Sequence, residues 1–215
     1  MLTKDSSSPI LPRKAPVQAR SQARFARILE VANQLIIDHG VDLVSMKDIS
    51  IAADISIASL YQYFPEKAAI IATLAHKYNV EGEECVEEYV AKIKTPEDVT
   101  PALHDIVDSY YEFFRQVPGS YAVWQATQAD ARLHHIDEDH CEKVAKIIAN
   151  GLVTANSKLA KEEAYNHGLL LTVLIAAIIR KLATYHLSDA KCLIESYKSL
   201  HIESTIEAIF ASTRK

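Results

Sequence analysis

Residues 45–67 carry hydroxyl, amide and ammonium groups whose types and spacing suit them to hold a polyanion. Hydroxyls and lysines at the starts of helices are good ligands for phosphate, and a glutamine can hydrogen-bond to the edge of a base. The segment therefore predicts contacts with nucleic acid. The alternative is a unit of three packed helices with a structural role only. The side chains concerned are Ser45, Lys47, Ser59, Tyr61, Gln62, Tyr63 and Lys67.

Residues 134–141 form the run His-His-Ile-Asp-Glu-Asp-His-Cys, whose imidazole, carboxylate and thiol groups are all competent ligands for a transition metal. The run lacks HExxH and CxxC spacing, and metal sites normally converge from well-separated segments. A solvated loop and helix start accounts for the run more simply, since acids favour the positive end of a helix. We expect no metal, no cofactor and no catalytic residue, and a metal-dependent enzyme using this run is the remote alternative.

Aromatic residues are concentrated in the middle of the chain, where seven of the sixteen lie between residues 89 and 124. Aromatic walls with a few hydroxyls are typical of a small-molecule pocket, and they are equally typical of an ordinary core. Both interpretations stay open for each residue. The candidate pocket residues are Tyr89, Tyr110, Phe113, Phe114, Tyr121 and Trp124.

Two short helices are predicted inside the polar segment, and each begins at a capping residue. Ser45 and Asp48 have the spacing of a capping box, which predicts a helix over about 46–53. Ser56 is an N-cap candidate for a second helix over 57–63. Helices this short are not stable alone, so they must pack on a third helix.

The third helix is predicted just before them, where apolar residues recur at helical spacing and a glycine follows as a left-handed cap. The stripe is Phe25, Ile28, Leu29, Ala32, Leu35 and Ile36, and the glycine is Gly40. Such a three-helix unit presents one short helix outward, in the size range of the major groove of DNA, which is about 12 Å wide.

Composition predicts an all-α protein. The 215 residues include only five glycines and seven prolines, and no segment has the alternation of a strand. The longest apolar run, residues 169–179, is about half the length that a membrane span needs, so we expect a buried helix and no membrane partner. Three widely spaced cysteines indicate neither a disulfide framework nor a zinc site, which fits a reducing cytoplasm.

The net charge of −5 argues at first against nucleic acid, but the charges are unevenly distributed. Residues 1–27 carry six basic residues and one acidic residue, whereas residues 68–215 carry 15 basic and 21 acidic residues. A basic arm on an acidic body suits a selective DNA-binding protein, because the body limits non-specific attraction. A solvated disordered tail explains the arm equally well, and residues 1–20 are predicted to be disordered.

The stretch from Arg24 to Lys67 resembles the DNA-binding domain of the TetR family of bacterial transcriptional regulators. The resemblance is strongest at Ser-Met-Lys-Asp-Ile, residues 45–49, and at Ser-Leu-Tyr-Gln-Tyr-Phe-Pro-Glu-Lys, residues 59–67. It implies an N-terminal three-helix helix-turn-helix domain over 21–67 and a larger helical ligand-binding and dimerisation domain over 68–215. The second domain has no comparable motif.

The resemblance also implies roles for individual residues. Ser45 and Lys47 are expected near phosphates, with Lys67 reaching the DNA backbone from the next helix. Apart from the resemblance, we expect the basic side chains of Arg20 and Arg24 to meet phosphates as well. Ser59, Tyr61, Gln62 and Tyr63 are expected on the recognition helix, where one tyrosine ring could pack instead, and Leu60 and Phe64 are expected in the core. The implied protein is a cytoplasmic homodimer, more often a repressor, which a small-molecule effector releases from a palindromic operator. A DNA-binding regulator without an effector is the alternative.

The chain departs from the family pattern in the turn between the two short helices, where Asp54 replaces the usual glycine. Glycine serves a positive φ there, and aspartate is among the few other residues that tolerate one. We expect the fold to survive, with a negative charge added near the DNA-binding face.

Two closing helices, over about 161–186 and 189–212, would leave an apolar face exposed on a monomer. Pairing with the same helices of a second copy would form a four-helix bundle with two-fold symmetry. Packing inside one subunit is the alternative for each residue. The candidate interface residues are Leu170, Leu174, Ile178, Tyr197 and Ile206.

Overall fold

The computed structural model of the chain describes residue 10, residues 19–184 and residues 190–212. These residues form ten α-helices and no strand, so the predicted all-α class is confirmed. The expected arm, residues 1–20, lies outside the described residues except for residue 10 and for Ala19 and Arg20, which open the first helix. The helices are α1 Ala19–His39, α2 Met46–Ala52, α3 Ile57–Tyr63, α4 Lys67–Val90, α5 Val99–Gln116, α6 Pro118–Ala129, α7 His134–Ala155, α8 Lys161–Thr184, α9 Ala190–Tyr197 and α10 Ser204–Ser212.

Contacts between residues divide the chain into two units. The N-terminal unit contains the described residues up to Tyr78 together with Gly119–Asp137, and the C-terminal unit contains Asn79–Pro118 and the described residues from Glu138 onward. Helix α6 therefore groups with the short N-terminal helices, whereas the sequence expectation assigned everything after residue 67 to the second domain.

The core of the N-terminal unit forms around the predicted stripe of α1. Ile28, Ala32 and Ile36 are buried, and Phe25 stacks on Phe64 with ring centroids 4.9 Å apart. The helices α2, α3 and α4 add further buried side chains to the same cluster, and so does the segment containing α6. Short helices gain their stability from such packing, which explains how α2 and α3 persist. The members on α2 to α4, on α6 and in the turn after α6 include Ile49, Leu60, Ile70, Val123, Ala126 and Leu133.

Gly40 ends α1 in the predicted way. Its φ is +81°, and its amide donates to the carbonyl oxygen of Ile36 at 2.9 Å. A left-handed backbone conformation at this place directs the chain away from the helix axis. Glycine adopts it without the steric penalty that a side chain would add.

Helix α5 begins at Val99, directly after a single turn of 3₁₀ helix. A 3₁₀ turn, Pro96–Asp98, leads directly into it, and the Asp98 carboxylate accepts from the Thr95 amide at 2.8 Å. Hydrogen bonds from the backbone of Lys94 and then Thr95 hold the pKa of Asp98 below its ordinary value. This capping arrangement starts the helical turn one residue before Thr100.

Helix α8 packs against α7 in the C-terminal unit at a point of backbone contact. A Cβ built on Gly168 would collide with the carbonyl oxygen of Ala145 and would lie 3.2 Å from the amide nitrogen of Ala149. Only a glycine allows this approach of two helix backbones.

The same helix has two different faces. Leu171, Ile175 and Ile179 are buried, whereas Leu170 and Leu174 are exposed, so the buried helix expected here is buried on one side only. Residues Lys161–Leu182 are long and apolar enough to cross a membrane by length and composition, the one such segment in the described part of the chain. This is weak evidence for a span, because the core helix of a water-soluble protein passes the same test.

Between α9 and α10 the helix widens into a π-helical segment, Lys198–Glu203. Lys198 is 4% exposed, and its ammonium lies 2.6 Å from Asp108 on α5 and 2.9 Å from Glu195 on α9. Burial acts to lower the pKa of Lys198, but the hydrogen bonds to both carboxylates act the other way and leave it raised. The paired ammonium joins the last helices of the unit to α5.

Candidate nucleic-acid interface

The capping box at the start of α2 is present as predicted. The Ser45 amide donates to the Asp48 carboxylate at 3.0 Å, and the Asp48 amide donates to the Ser45 hydroxyl oxygen at 3.2 Å. The Ser45 hydroxyl also donates to the same carboxylate. These bonds, led by that of the hydroxyl, hold the pKa of Asp48 below its ordinary value. A phosphate at this site would therefore compete with Asp48 for the Ser45 hydroxyl.

The turn between α2 and α3 is a Schellman motif. The Asp54 amide donates to the carbonyl of Ile51 at 3.1 Å, and the Ile55 amide donates to that of Ser50 at 3.0 Å. These two bonds require a left-handed residue just after the helix cap, and Asp54 has a φ of +53°. It is the one described residue other than glycine with a positive φ. The expectation that Asp54 occupies a positive-φ turn position is confirmed.

We expect substitutions at Asp54 to separate conformation from charge. Asp54→Gly should raise the free energy of unfolding by about 0.5 kcal/mol, whereas Asp54→Val should lower it by about 1–2 kcal/mol because a β-branched residue is strained at positive φ. Asp54→Asn removes the charge but tolerates the same φ, so it serves as the matched control. Chemical denaturation of the four proteins measures the differences. A valine variant as stable as the native chain would contradict this account of the turn.

Helix α3 is capped by Ser56, whose hydroxyl oxygen accepts from the Ser59 amide at 3.1 Å. Leu60 points into the core and is fully buried. The opposite side of the helix is accessible, with Ile57 exposed to 40% and Tyr61 to 43%. We call this side, formed by Ile57, Ala58, Tyr61 and Gln62, the outward face of α3.

The two tyrosines of α3 differ in environment. Tyr63 is half-buried; its hydroxyl lies 3.1 Å from the Ser21 hydroxyl of α1, and its ring centroid lies 6.4 Å from that of Phe25. Tyr61 has its ring on the outward face. The alternative left open in the sequence, that one tyrosine packs, therefore applies to Tyr63. Ser59 is also only partly exposed.

Lys67 is tied to the loop that precedes α2. Its ammonium donates to the backbone carbonyls of Val41 at 2.6 Å and Val44 at 2.8 Å. Two of its three N–H groups are therefore engaged inside the protein, which leaves one for any phosphate contact. No sequence signal indicated this structural role, because it joins residues more than 20 positions apart.

Three other basic side chains that belong to the predicted interface are exposed, namely Arg20 and Arg24 on α1 and Lys47 on α2. The remaining basic residues of the expected arm, Lys4, Arg13 and Lys14, lie outside the described residues. Arg27 differs from these three, because it pairs with Glu30 at 3.0 Å on the same helix.

An ion-pair cluster missed in the sequence joins the residue just before α4 to the segment after α6. Arg132 lies 3.1 Å from Glu66 and 2.7 Å from Asp130. Its hydrogen bonds with Asp130 and then Glu66 raise the pKa of the guanidinium, and the side-chain hydrogen bond from Arg132 lowers the pKa of the Asp130 carboxyl. About half of the Arg132 side chain is exposed, so the cluster orients the two segments more than it stabilises them.

A cavity of about 30 Å³ lies inside the C-terminal unit. This volume holds about two water molecules. Its wall is mainly aliphatic, with a few polar side chains. The lining residues are Val86, Ile106, Tyr110, His140, Cys141, Val144, Ile148, Thr172, Ile175, Ala176 and Arg180.

Of the six aromatic candidates for a pocket, only Tyr110 lines this cavity. Phe114 is buried and packs edge-on against Tyr110 at 5.2 Å, and Phe113 packs in turn against Phe114. The hydroxyl of Tyr89 lies 2.8 Å from that of Ser109. The last two candidates, Tyr121 and Trp124, pack together in the N-terminal unit. The cavity is therefore not lined by the predicted aromatic set, and Tyr121 and Trp124 belong to a different unit from the other four candidates.

The run 134–141 forms the first two turns of α7, so the expected helix start is present and the expected loop is not. His140 is buried, and its Nδ1 lies 3.1 Å from the Glu83 carboxylate of α4. Lys143 approaches the same carboxylate at 3.5 Å. Within the described residues, no three potential ligands converge on a possible metal position. The expectation of solvation is wrong for His140, since pairing with a distant glutamate permits its burial.

The five dimer candidates divide into two groups. Leu170 and Leu174 are exposed on α8 and Ile178 is half-buried, whereas Tyr197 and Ile206 are buried within the subunit. For the last two, the alternative of an internal core is therefore correct, and burial raises the pKa of Tyr197 to about 12. Exposed apolar residues missed in the sequence are Val173, Leu193 and Leu200.

The chain matches two models of one protein family. Residues 28–74 match the model for bacterial regulatory proteins of the TetR family, and residues 97–204 match the model of a tetracyclin repressor-like C-terminal domain. No curated protein matches the chain in sequence.

Solved structures share the fold along most of their length. A TetR-family transcriptional regulator of Mesorhizobium loti superimposes with a TM-score of 0.69 at 15% identity, over 91% of this chain and 98% of that one. A regulator of Streptomyces coelicolor gives 0.63 at 18% identity over 86% and 99%. One of Marinobacter aquaeolei gives 0.63 at 16% identity over 88% and 97%. At such identities the likeness establishes the fold alone.

Proposed function

Because the chain belongs to the TetR family of bacterial regulatory proteins, which are DNA-binding transcriptional regulators and not enzymes, we propose that it acts as a cytoplasmic homodimeric repressor. In this proposal the dimer binds a palindromic operator, and a small molecule in the C-terminal unit releases it. Catalysis by residues 134–141 has no place in this function.

The observation that carries the DNA-binding part is the way in which α3 is presented. A capping box, a Schellman turn and the burial of Leu60 fix this helix on α1 and α2, and they leave its outward face accessible. In the proposal Tyr61 and Gln62 contact bases in the major groove. Arg20, Arg24 and Lys47 contact phosphates, which position the protein without selecting a sequence. The remaining N–H of Lys67 is available for one further phosphate contact. Ser45, Ser59 and Tyr63 act mainly through the fold.

Selection of duplexes from a random pool by the full-length protein tests this part. We expect an enriched sequence with two-fold symmetry, because each subunit of a dimer presents the same helix. Its half-sites should be separated by about one helical turn or a multiple of it. A duplex with one scrambled half-site is the control and should bind much more weakly. Failure to enrich any sequence would reject the proposed function.

The dimer is supported by apolar side chains left exposed on the last helices. Leu170, Val173 and Leu174 project from α8, and Leu193 and Leu200 lie on α9 and the π-helical segment. A second copy related by two-fold symmetry would cover the same residues on both subunits. Association of this kind removes apolar surface from water, which stabilises the pair.

We expect Leu174→Glu to dissociate the dimer, because two carboxylates would be placed in an apolar interface. Operator affinity should then fall at least about 100-fold, since each subunit alone contacts one half-site. Val80→Glu is the matched control, because Val80 is exposed to 47% on α4 and Leu174 to 42% on α8. Sedimentation velocity measures the mass, and fluorescence anisotropy measures the affinity. Two variants with the same mass would contradict the proposed interface.

In the proposal the effector would bind in the cavity between α4, α5, α7 and α8. An effector whose binding free energy differs by about 1–3 kcal/mol between the operator-binding and the released conformations of the protein would change operator affinity 5- to 150-fold. The cavity holds about two water molecules, so a larger ligand would have to displace side chains. This small volume favours the second candidate, a regulator without an effector. Native mass spectrometry of the purified protein distinguishes them, since a bound organic molecule is expected only for the first.

A further inference from the structure

The outward face of α3 has an unusual chemical composition for a helix that contacts DNA. The seven residues of α3, Ile-Ala-Ser-Leu-Tyr-Gln-Tyr, include no charged side chain. Guanine is most often recognised by Arg or Lys, and cytosine by the acceptor oxygens of Asp or Glu. The helix therefore lacks the usual partners of a G·C pair.

The same face carries the usual partners of an A·T pair. Ile57 and Ala58 lie on the first turn, and recognition helices contact bases mainly with their N-terminal residues. Apolar side chains contact the 5-methyl group of thymine, and glutamine forms paired hydrogen bonds with adenine. Gln62 follows Ala58 by four residues, so both lie on one side of the helix.

The exposure of Ile57 and Ala58 leaves both side chains accessible for an apolar contact. Ile57 is 40% exposed although it lies beside a well-packed core, and Ala58 is exposed beside it. The nearest basic residue before the helix, Lys47, lies on α2 and is assigned above to a phosphate. The base contacts therefore depend on the apolar side chains of Ile57 and Ala58 together with Tyr61 and Gln62.

We propose that Ile57 and Ala58 recognise thymine 5-methyl groups and that Gln62 recognises adenine, so that the contacted centre of each half-site consists of A·T pairs. This inference rests on the proposed function, in which α3 enters the major groove. It adds the base composition of the half-site and the residues that select it.

Replacement of single thymines by deoxyuridine tests the proposal, because it removes the methyl group and leaves base pairing unchanged. The full-length protein and the duplex obtained by selection are used. We expect an affinity loss of about fourfold for each contacted methyl group, because this ratio corresponds to the free energy of transferring one apolar carbon out of water. At least one thymine in each half-site should show this loss.

Two isoleucine variants link the loss to α3. In Ile57→Ala the ratio of thymine to deoxyuridine affinity should approach one at the contacted position. Ile51→Ala is the matched control, because Ile51 is 67% exposed on α2 and lies outside the outward face. Its ratio should equal that of the native chain.

Three results would overturn the proposal. Equal affinity for thymine and deoxyuridine at every position would do so without the use of any variant. Selected half-sites whose invariant positions are all G·C pairs would also do so. In both cases the protein still binds a defined sequence, so the proposed function survives. Absence of any selected sequence rejects the function and this inference together.

Discussion

Operator affinity should fall about 1,000-fold between 50 and 200 mM salt, because the proposed interface engages phosphates with several cations. Arg20, Arg24 and Lys47 are exposed, which gives six cationic groups in the proposed dimer. At about 0.9 counterions released per phosphate, six contacts predict a slope near −5 for log affinity against log salt. If Lys67 also reaches a phosphate with its remaining N–H, eight contacts predict a slope near −7.

Fluorescence anisotropy over this salt range measures the slope. Lys47→Gln removes two contacts from the dimer and should make the slope shallower by about 2. Lys92→Gln is the control, because Lys92 is a similarly exposed lysine of the C-terminal unit that pairs with Glu88. It should leave the slope unchanged. A native slope shallower than about −3 would exclude the assigned phosphate contacts.

Gly168→Ala should lower the free energy of unfolding by about 2 kcal/mol, because the added methyl group meets backbone and not a side chain that can rotate away. The carbonyl of Ala145 and the amide of Ala149 face the position of the new Cβ. Relief requires α7 and α8 to separate, which loosens the packing along both helices. The midpoint of thermal unfolding should fall by about 4–8 °C in a chain of this size.

Gly82→Ala provides the matched comparison within the same unit. Gly82 is also buried in a helix, but its new Cβ would lie 3.6 Å from the side chains of His140 and Tyr110, an ordinary contact. Alanine is the better helix former, so this variant should gain up to about 1 kcal/mol. Circular dichroism during thermal unfolding records both changes. Equal midpoints for the two variants would show that α7 and α8 are not held by close backbone contact.

The helix-turn-helix was the most predictable part of the molecule because its signals are local. Ser45 with Asp48 opens α2 and Ser56 opens α3, and each cap acts within three residues of itself. The strained position of Asp54 was also predictable, since only the residue type and its place in the turn were needed. The predicted helix over 57–63 has the same bounds in the structure.

The contacts that sequence analysis missed join residues far apart in the chain. Arg132 reaches Glu66, and His140 reaches Glu83, across 66 and 57 positions. No periodicity or local motif encodes such a pair, because the partner is set by how helices pack. The same cause explains the burial of Tyr197, which helical spacing alone could not distinguish from a position on an exposed face.

The grouping of α6 with the N-terminal helices affects how DNA specificity can be exchanged between relatives. Val123, Ala126 and Leu133 belong to the same core as Ile28 and Leu60. A chimaera that exchanged only residues 1–67 would set a foreign three-helix module against these native side chains. The module that can be exchanged is therefore discontinuous in sequence. An exchange that includes both α6 and the short helices keeps the core of the N-terminal unit intact.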